Sequence, residues 1–190
     1  FVRALLYSAA GYISGSILFA RVFGAVFKKD ILNQSRDGNP GTANAFMYGG
    51  FFCGVLTLLF ELLKGFIPVF LYLRKTPLLF NSLGLAFVLA APVLGHAFPI
   101  FYRFSGGKGI AVSFGCLLGL LPAVTPVSVL AFTFLFFSLV LKIEPHYHRT
   151  FLTYALSAVL MFLIMPNKYI CWGFAVITVI VCLRLLLSNE

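Results

Sequence analysis

Acidic side chains are almost absent from this chain: five Asp and Glu stand against fourteen Lys and Arg in 190 residues. Charge of either sign is scarce, at 10% of residues, where a water-soluble domain carries roughly 25%. Too few charges remain to cover a water-facing sphere, which excludes an ordinary soluble globule and leaves lipid as the main solvent. The four cysteines, Cys53, Cys116, Cys171 and Cys182, lie inside apolar runs without a CxxC pair. They read as small packing residues, and no metal or redox centre is expected of them. Also missing is any Ser-, Pro- or charge-rich linker, so residues 1–190 read as a single transmembrane domain.

What is present is apolar: 61% hydrophobic residues with 23 Phe, and a mean hydropathy of +1.03. A helix needs about 20 apolar residues to cross the hydrocarbon core. The spacing predicts an all-α integral membrane protein with about seven spans, near 3–26, 46–73, 79–100, 109–121, 126–141, 151–166 and 168–187. The fourth and fifth are short and joined by Leu121-Pro122-Ala123-Val124-Thr125-Pro126, which also fits one bent or re-entrant hairpin. The first apolar stretch is too long for the core of a leader peptide and reads as a span.

The connections differ in character. Those near 27–45, 101–108 and 142–150 are rich in Lys, Arg, His, Asn and Gly, while those near 74–78, 122–125 and 166–168 are short turns. Seven spans put the polar connections on one side, together with Lys28, Lys29, Arg36, Arg103, Lys108, Lys142 and Arg149. The positive-inside rule then places these loops in the cytoplasm and the N-terminus outside. The scattering of the cations between spans points to anionic substrates or lipids rather than nucleic acid.

The first polar loop runs from Ser35-Arg36-Asp37 through Gly38-Asn39-Pro40-Gly41 to Thr42-Ala43-Asn44. Glycines here allow tight turns and close approach to the backbone. Arg36 offers a fork for phosphate oxygens, and a helix beginning near Asn44 would aim N–H groups at an anion. An ordinary polar turn with an Asn cap accounts for the same residues. The second loop carries Gly106-Gly107-Lys108-Gly109. It is not a Walker A loop, because Tyr102 stands at the leading glycine and Gly109 at the magnesium-binding Ser/Thr. Successive glycine N–H groups with a lysine still make an anion nest. His96, at the end of the third span, is either hydrogen-bonded between helices or a base beside that nest.

The third segment, Lys142 to Thr150, holds His146, His148 and Arg149. Two histidines are too few for a metal site, so no metal is expected; they fit an anion site or the headgroup level. Within the second span, Glu61 and Lys64 share a helical face. Each charge at bilayer depth costs roughly 2.5–3.5 kcal/mol, so the two should pair and face the bundle interior. Whether they brace the site or the fold is open from sequence.

Five blocks, in this order, resemble the PlsY family of bacterial membrane acyltransferases: Gly15-Ser16-Ile17, Gly38-Asn39-Pro40-Gly41 with Asn44, Glu61 with Lys64-Gly65, Gly95-His96-Ala97-Phe98-Pro99, and Gly106-Gly107-Lys108-Gly109. The resemblance runs from about Gly11 to Thr150. It implies seven helices in the bacterial inner membrane and transfer of an acyl chain from acyl phosphate to the 1-hydroxyl of glycerol 3-phosphate, giving lysophosphatidic acid for phospholipid synthesis. It implies no cofactor and a monomer that meets acyl phosphate, glycerol 3-phosphate and membrane lipids. Carried onto this sequence, it makes His96, Asn39 and Asn44 catalytic, with His96 the base unless the substrate phosphate takes the proton. Substrate would be bound by Ser35, Arg36, Gly38, Gly41, Thr42, Phe98, Arg103, Gly106, Gly107, Lys108, Gly109, His148 and Arg149, with Glu61 and Lys64 in support.

The chain departs from the family where anions bind. Asp37 stands at the usual Ser, Thr42-Ala43-Asn44 replaces Ala-Thr-Asn, Glu61 replaces an aspartate, and His148-Arg149 follow Tyr147 in place of Val and Ser. A paralogue acylating another hydroxyl acceptor and a transporter of small organic phosphates are the alternatives.

Overall fold

Apolar runs that cannot satisfy their backbone in lipid must close every N–H and C=O within a helix, and the described residues do so in ten α-helices. The computed structural model describes residues 1–75, 80 and 82–188, and among these it contains no strand. Most of the expected short turn near 74–78, and residues 79, 81, 189 and 190, lie outside the described residues. The helices are α1 (Val2–Gly15), α2 (Phe19–Val26), α3 (Ile31–Gln34), α4 (Thr42–Gly49), α5 (Phe51–Lys75), α6 (Leu83–Ala97), α7 (Ile110–Leu118), α8 (Thr125–Leu135), α9 (His146–Ile164) and α10 (Lys168–Leu186).

Among the described residues, five segments are long and apolar enough to cross a membrane: Val2–Val26, Phe51–Lys75, Leu83–Tyr102, His146–Ile164 and Lys168–Leu186. The expected fourth and fifth spans are two separate, shorter pieces, α7 and the run Thr125–Val140. Two boundaries move. The span expected from 46 starts at Phe51, because Gly50 takes a left-handed turn (φ +89°) between α4 and α5. The third polar segment is already helical from His146, with Pro145 at its N-cap, a position that needs no N–H.

The core gathers around α6, whose Leu85, Val88, Leu89 and Val93 are fully buried and which packs against α1, α5, α7 and α10. Glycine lets the backbones meet there. A Cβ on Gly15 would overlap the Pro92 carbonyl of α6, and one on Gly115 the Leu62 carbonyl of α5. Outside, large apolar side chains such as Leu5, Leu6, Phe132, Val159, Leu163 and Val179 are exposed in long stripes, a surface that only lipid solvates well.

The two ends of the bundle separate chemically. At one end Arg3 donates to the Lys75 carbonyl and Asn167 to the Phe80 carbonyl. At the other, Arg184 of α10 donates twice to the Gly106 carbonyl, from Nε (3.1 Å) and from the guanidinium tip (2.7 Å). The first and second polar loops and the start of α9 meet at this second end.

Candidate active site

The site begins with a broken helix. Between α1 and α2 the chain unwinds over Ser16-Ile17-Leu18, leaving carbonyls and an N–H at membrane depth without helical partners. Two charges on one face of α5 take them up. Lys64 Nζ donates to the carbonyls of Gly15 (2.9 Å) and Ile17, while Glu61 Oε1 accepts from the Phe19 N–H at 3.1 Å. Glu61 thus sits at the N-terminus of α2, where a carboxylate is favoured, and Lys64 at the C-terminus of α1. Their own contact is 2.8 Å, and both are buried. The pair therefore braces the fold, and Glu61 also lines the adjoining cavity.

His96 of α6 completes the cluster. Its Nδ1 lies 3.0 Å from both Glu61 Oε2 and Lys64 Nζ. A proton on Nδ1 serves the carboxylate; a lone pair there serves the ammonium. On the other side of the ring, a Cβ on Gly107 would overlap Nε2 and stand 3.2 Å from Asn39 Oδ1. Only glycine leaves that edge of the imidazole clear.

Above this cluster the first loop folds around an acid. Asp37 Oδ1 accepts from Asn44 Nδ2 (2.8 Å) and the Asn39 N–H (3.2 Å), and Oδ2 accepts from Lys108 Nζ at 3.0 Å. Gly38 takes the left-handed φ of +57° that this turn requires. Asn44 Nδ2 also donates to the Asn39 carbonyl at 2.9 Å. Burial pushes the Asp37 carboxyl up, but the hydrogen bonds from Asn44, Lys108 and Asn39 and the Lys108 charge outweigh it. They hold it below the usual carboxylate range.

The first turn of α9 supplies the third wall. His146 and Arg149 lie one turn apart, and the Arg149 guanidinium is 2.6 Å from His146 Nδ1. Arginine only donates, so Nδ1 accepts and the neutral ring carries its proton on Nε2.

These elements enclose a cavity of about 270 Å³. Its polar end is lined by Asn39, Gly41, Thr42, Glu61, His96, Lys108, Gly109 and His146; its apolar wall by Leu58, Ile110, Ala111, Phe114 and Phe134. The Thr42 hydroxyl is buried without a hydrogen-bond partner. A wider groove of about 570 Å³ runs between α2 and α3, past Arg21, Lys28 and Lys29. It is open, and none of the motif residues named above lines it, so the smaller cavity is the candidate site.

The residues singled out from sequence divide. Asn39, Gly41, Thr42, His96, Lys108 and Gly109 line the cavity, and Glu61 joins them. Asn44 and Gly107 act one contact away, and Arg149 acts through His146. Arg36, Arg103 and His148 are exposed and outside the lining. Arg103 ends the turn Ile100–Tyr102 in a left-handed conformation, and the His148 ring is exposed on α9, one residue from Tyr147. Ser35 donates locally to the Leu32 carbonyl, Gly38 is an exposed hinge, and Phe98 packs half-buried against the core. The glycine run takes a structural part as well. The Gly106 and Gly107 N–H groups donate to the Ala97 and His96 carbonyls. Both N–H groups are thereby engaged in closing the end of α6. What sequence reasoning passed over is the apolar wall, and it left His146 between an anion site and the headgroup level, where the structure puts it in the cavity lining. The three-residue spacing of His146 and Arg149 points to a shared face once α9 is started at Pro145.

Fold and site together define an all-helical membrane protein with a cation- and amide-lined pocket opening beside an apolar wall. Residues 5–188 match the family model described as glycerol-3-phosphate acyltransferase, and the chain belongs to that family. A glycerol-3-phosphate acyltransferase of Cupriavidus taiwanensis is 40% identical over 119 residues, 62% of this chain and 59% of that protein. One of Neisseria meningitidis serogroup C is 33% identical over 177 residues, 93% of this chain and 86% of that protein. Two crystal structures of PlsY (YgiH), an integral membrane glycerol 3-phosphate acyltransferase, superpose at 26% identity, covering 95% of this chain and 87% of the other. Their TM-scores are 0.79 for the lysophosphatidic acid form and 0.82 for the glycerol 3-phosphate form.

Proposed function

We propose that the protein acylates the 1-hydroxyl of glycerol 3-phosphate with acyl phosphate as donor, releasing lysophosphatidic acid and phosphate. The observation that carries this reading is one cavity joining a polar end, built on Lys108, the start of α4 and His96, to the apolar wall of Leu58, Ile110, Phe114 and Phe134. A phosphorylated head fits the first and an acyl chain the second; acyl phosphate carries both, and glycerol 3-phosphate brings a phosphate and the hydroxyl to be acylated.

Acyl phosphate is already activated. The acceptor oxygen bonds to the carbonyl carbon, the carbon–oxygen bond to phosphate breaks, and phosphate leaves with the electron pair. No covalent enzyme intermediate is needed; alignment and charge stabilisation suffice. Lys108 stabilises phosphate charge, Asn39 and Thr42 orient the hydroxyl, and Asn44 holds the Asn39 loop in place. His96 in its Nδ1–H form, hydrogen-bonded to Glu61, offers the Nε2 lone pair to the hydroxyl proton. His146 donates from Nε2, held by Arg149. The site faces the cytoplasm of a bacterial inner membrane, with Arg36, Lys28 and Lys29 on the same side.

The test is product analysis by mass spectrometry after mixing the purified protein with palmitoyl phosphate and glycerol 3-phosphate, with palmitoyl-CoA as the comparison donor. Lysophosphatidic acid formed from palmitoyl phosphate alone is expected. No product from it, or equal product from palmitoyl-CoA, would overturn the donor assignment.

A further inference from the structure

The best-held anion at the mouth of the cavity belongs to the protein itself. The Asp37 carboxylate takes Lys108 Nζ at 3.0 Å, Asn44 Nδ2 at 2.8 Å and the Asn39 N–H at 3.2 Å. Of these donors, Lys108 is the one that the sequence sets out for a phosphate, and Asn39 and Asn44 are those that it sets out for the acceptor. Lys108 is 4% exposed and is among the residues that line the cavity; the other cations of these loops, Arg36 and Arg103, are exposed and outside the lining. The Gly106 and Gly107 N–H groups, the next candidates for an anion, are tied to the end of α6.

We infer that Asp37 occupies the phosphate seat as an internal anion and sets the specificity of the site, so that a phosphorylated ligand must displace it from Lys108 and Asn44 in order to bind. A phosphate entering beside a carboxylate already bonded to its donors meets like-charge repulsion and finds those donors engaged. Displacement is geometrically open: Asp37 sits in a turn hinged at Gly38, which has φ +57° and open space around its Cα. The turn is also half-exposed, unlike the buried Glu61–Lys64–His96 cluster below it. The consequence is a site with weakened affinity for phosphate. An acceptor must bring either a dianionic phosphate strong enough to win the exchange or a hydroxyl that uses Asn39 and His96 while leaving the acid in place.

The inference rests on the proposed function only for the identity of the substrate, and its test is separate from turnover. Inorganic phosphate and glycerol 3-phosphate are titrated into the purified full chain and into Asp37→Asn and Asp37→Ser by isothermal calorimetry. Asp37→Asn keeps an acceptor for Asn44 and the Asn39 N–H while removing the charge. Both variants are expected to bind inorganic phosphate about tenfold tighter than the parent. In the acylation assay the KM for glycerol 3-phosphate should fall with kcat little changed. If Asp37 merely braces Lys108, both variants bind phosphate equally or more weakly, and that result overturns the inference. Thermal unfolding of each variant separates a binding change from a loss of fold. Should no acylation be seen with any variant, the calorimetric comparison still decides whether Asp37 competes with phosphate.

Discussion

Two charged clusters sit a short distance apart and obey different rules. In the lower one, Glu61, Lys64 and His96 are buried to 5% exposure or less, and their contacts run to the backbone of a broken helix. In the upper one, Asp37 and Lys108 meet across two loops at the rim of the bundle, among cations that mostly face outward. The lower cluster is structure first, because charges at bilayer depth survive only when paired. The upper cluster is exchangeable, because its acid sits on a glycine-hinged turn. A site for a mobile anion needs both: a fixed floor that aligns, and a rim that lets go.

The sharpest way to break this contrast is to remove one charge from the floor. Glu61→Ala should destabilise the protein by about 3–5 kcal/mol, since it leaves Lys64 uncompensated and the α2 N-terminus uncapped. Thermal unfolding in detergent measures it. A variant as stable as the parent would mean that the cluster is not structural.

At the rim the same kind of removal should spare the fold and cost the chemistry. Lys108→Ala is expected to lower turnover about 10²–10³-fold, the range for losing one donor to developing charge, with the unfolding temperature little changed. Near-normal turnover would take Lys108 out of the site.

Between the two lies Gly107. Gly107→Ala pushes a methyl onto His96 Nε2, and overpacking of that kind costs about 1–3 kcal/mol. Turnover should fall further than stability, because the proton-accepting edge is covered. Kinetics and unfolding run side by side separate the two effects, and equal losses would argue for packing alone.

The smallest expected effects test the outward cations. Arg36→Ala and Arg103→Ala should each change stability by less than about 0.5 kcal/mol and leave phosphate binding within about twofold of the parent. A large loss of binding from either would mean that the loop closes over the ligand and brings that arginine in.

The pH behaviour distinguishes the clusters again. Asp37 has a depressed carboxyl, so the stability that it contributes is present above its unfolded pKa and is lost as pH falls through the lower folded value. Acidification from about pH 7 to pH 5 should therefore leave the Asp37–Lys108 contact in place. A stability difference between the parent and Asp37→Asn, read by thermal unfolding, that vanished within that window would contradict the depressed value.

Much of the outline was legible without coordinates. The long apolar runs become the membrane helices, the three polar segments gather at one end, and Glu61 and Lys64 face inward as a pair. Less legible was which cations enter the pocket. Arg36, Arg103 and Lys108 look alike as residues, yet only Lys108 of the three turns inward, because it stands between Gly107, tied to the α6 terminus, and Gly109, the N-cap of α7. The Gly106-Gly107 pair has the composition of an anion nest, but the open carbonyls at the end of α6 claim its N–H groups first. The shared face of His146 and Arg149 was hidden by a helix boundary placed five residues late, at 151 in place of His146.

Composition and spacing alone determined that this chain lives in lipid, that its buried charges must pair, and that its chemistry is confined to a few loops. Those follow from the cost of leaving backbone or charge unsatisfied in hydrocarbon, which every sequence of this kind must meet in the same way. Only the tertiary structure decided which partner each polar group takes. Lys64 completes a broken helix 49 residues away in the chain at Gly15, and Asp37 reaches Lys108 across 71 residues. Competition between nearby acceptors of similar strength is settled by geometry, and geometry is not written locally.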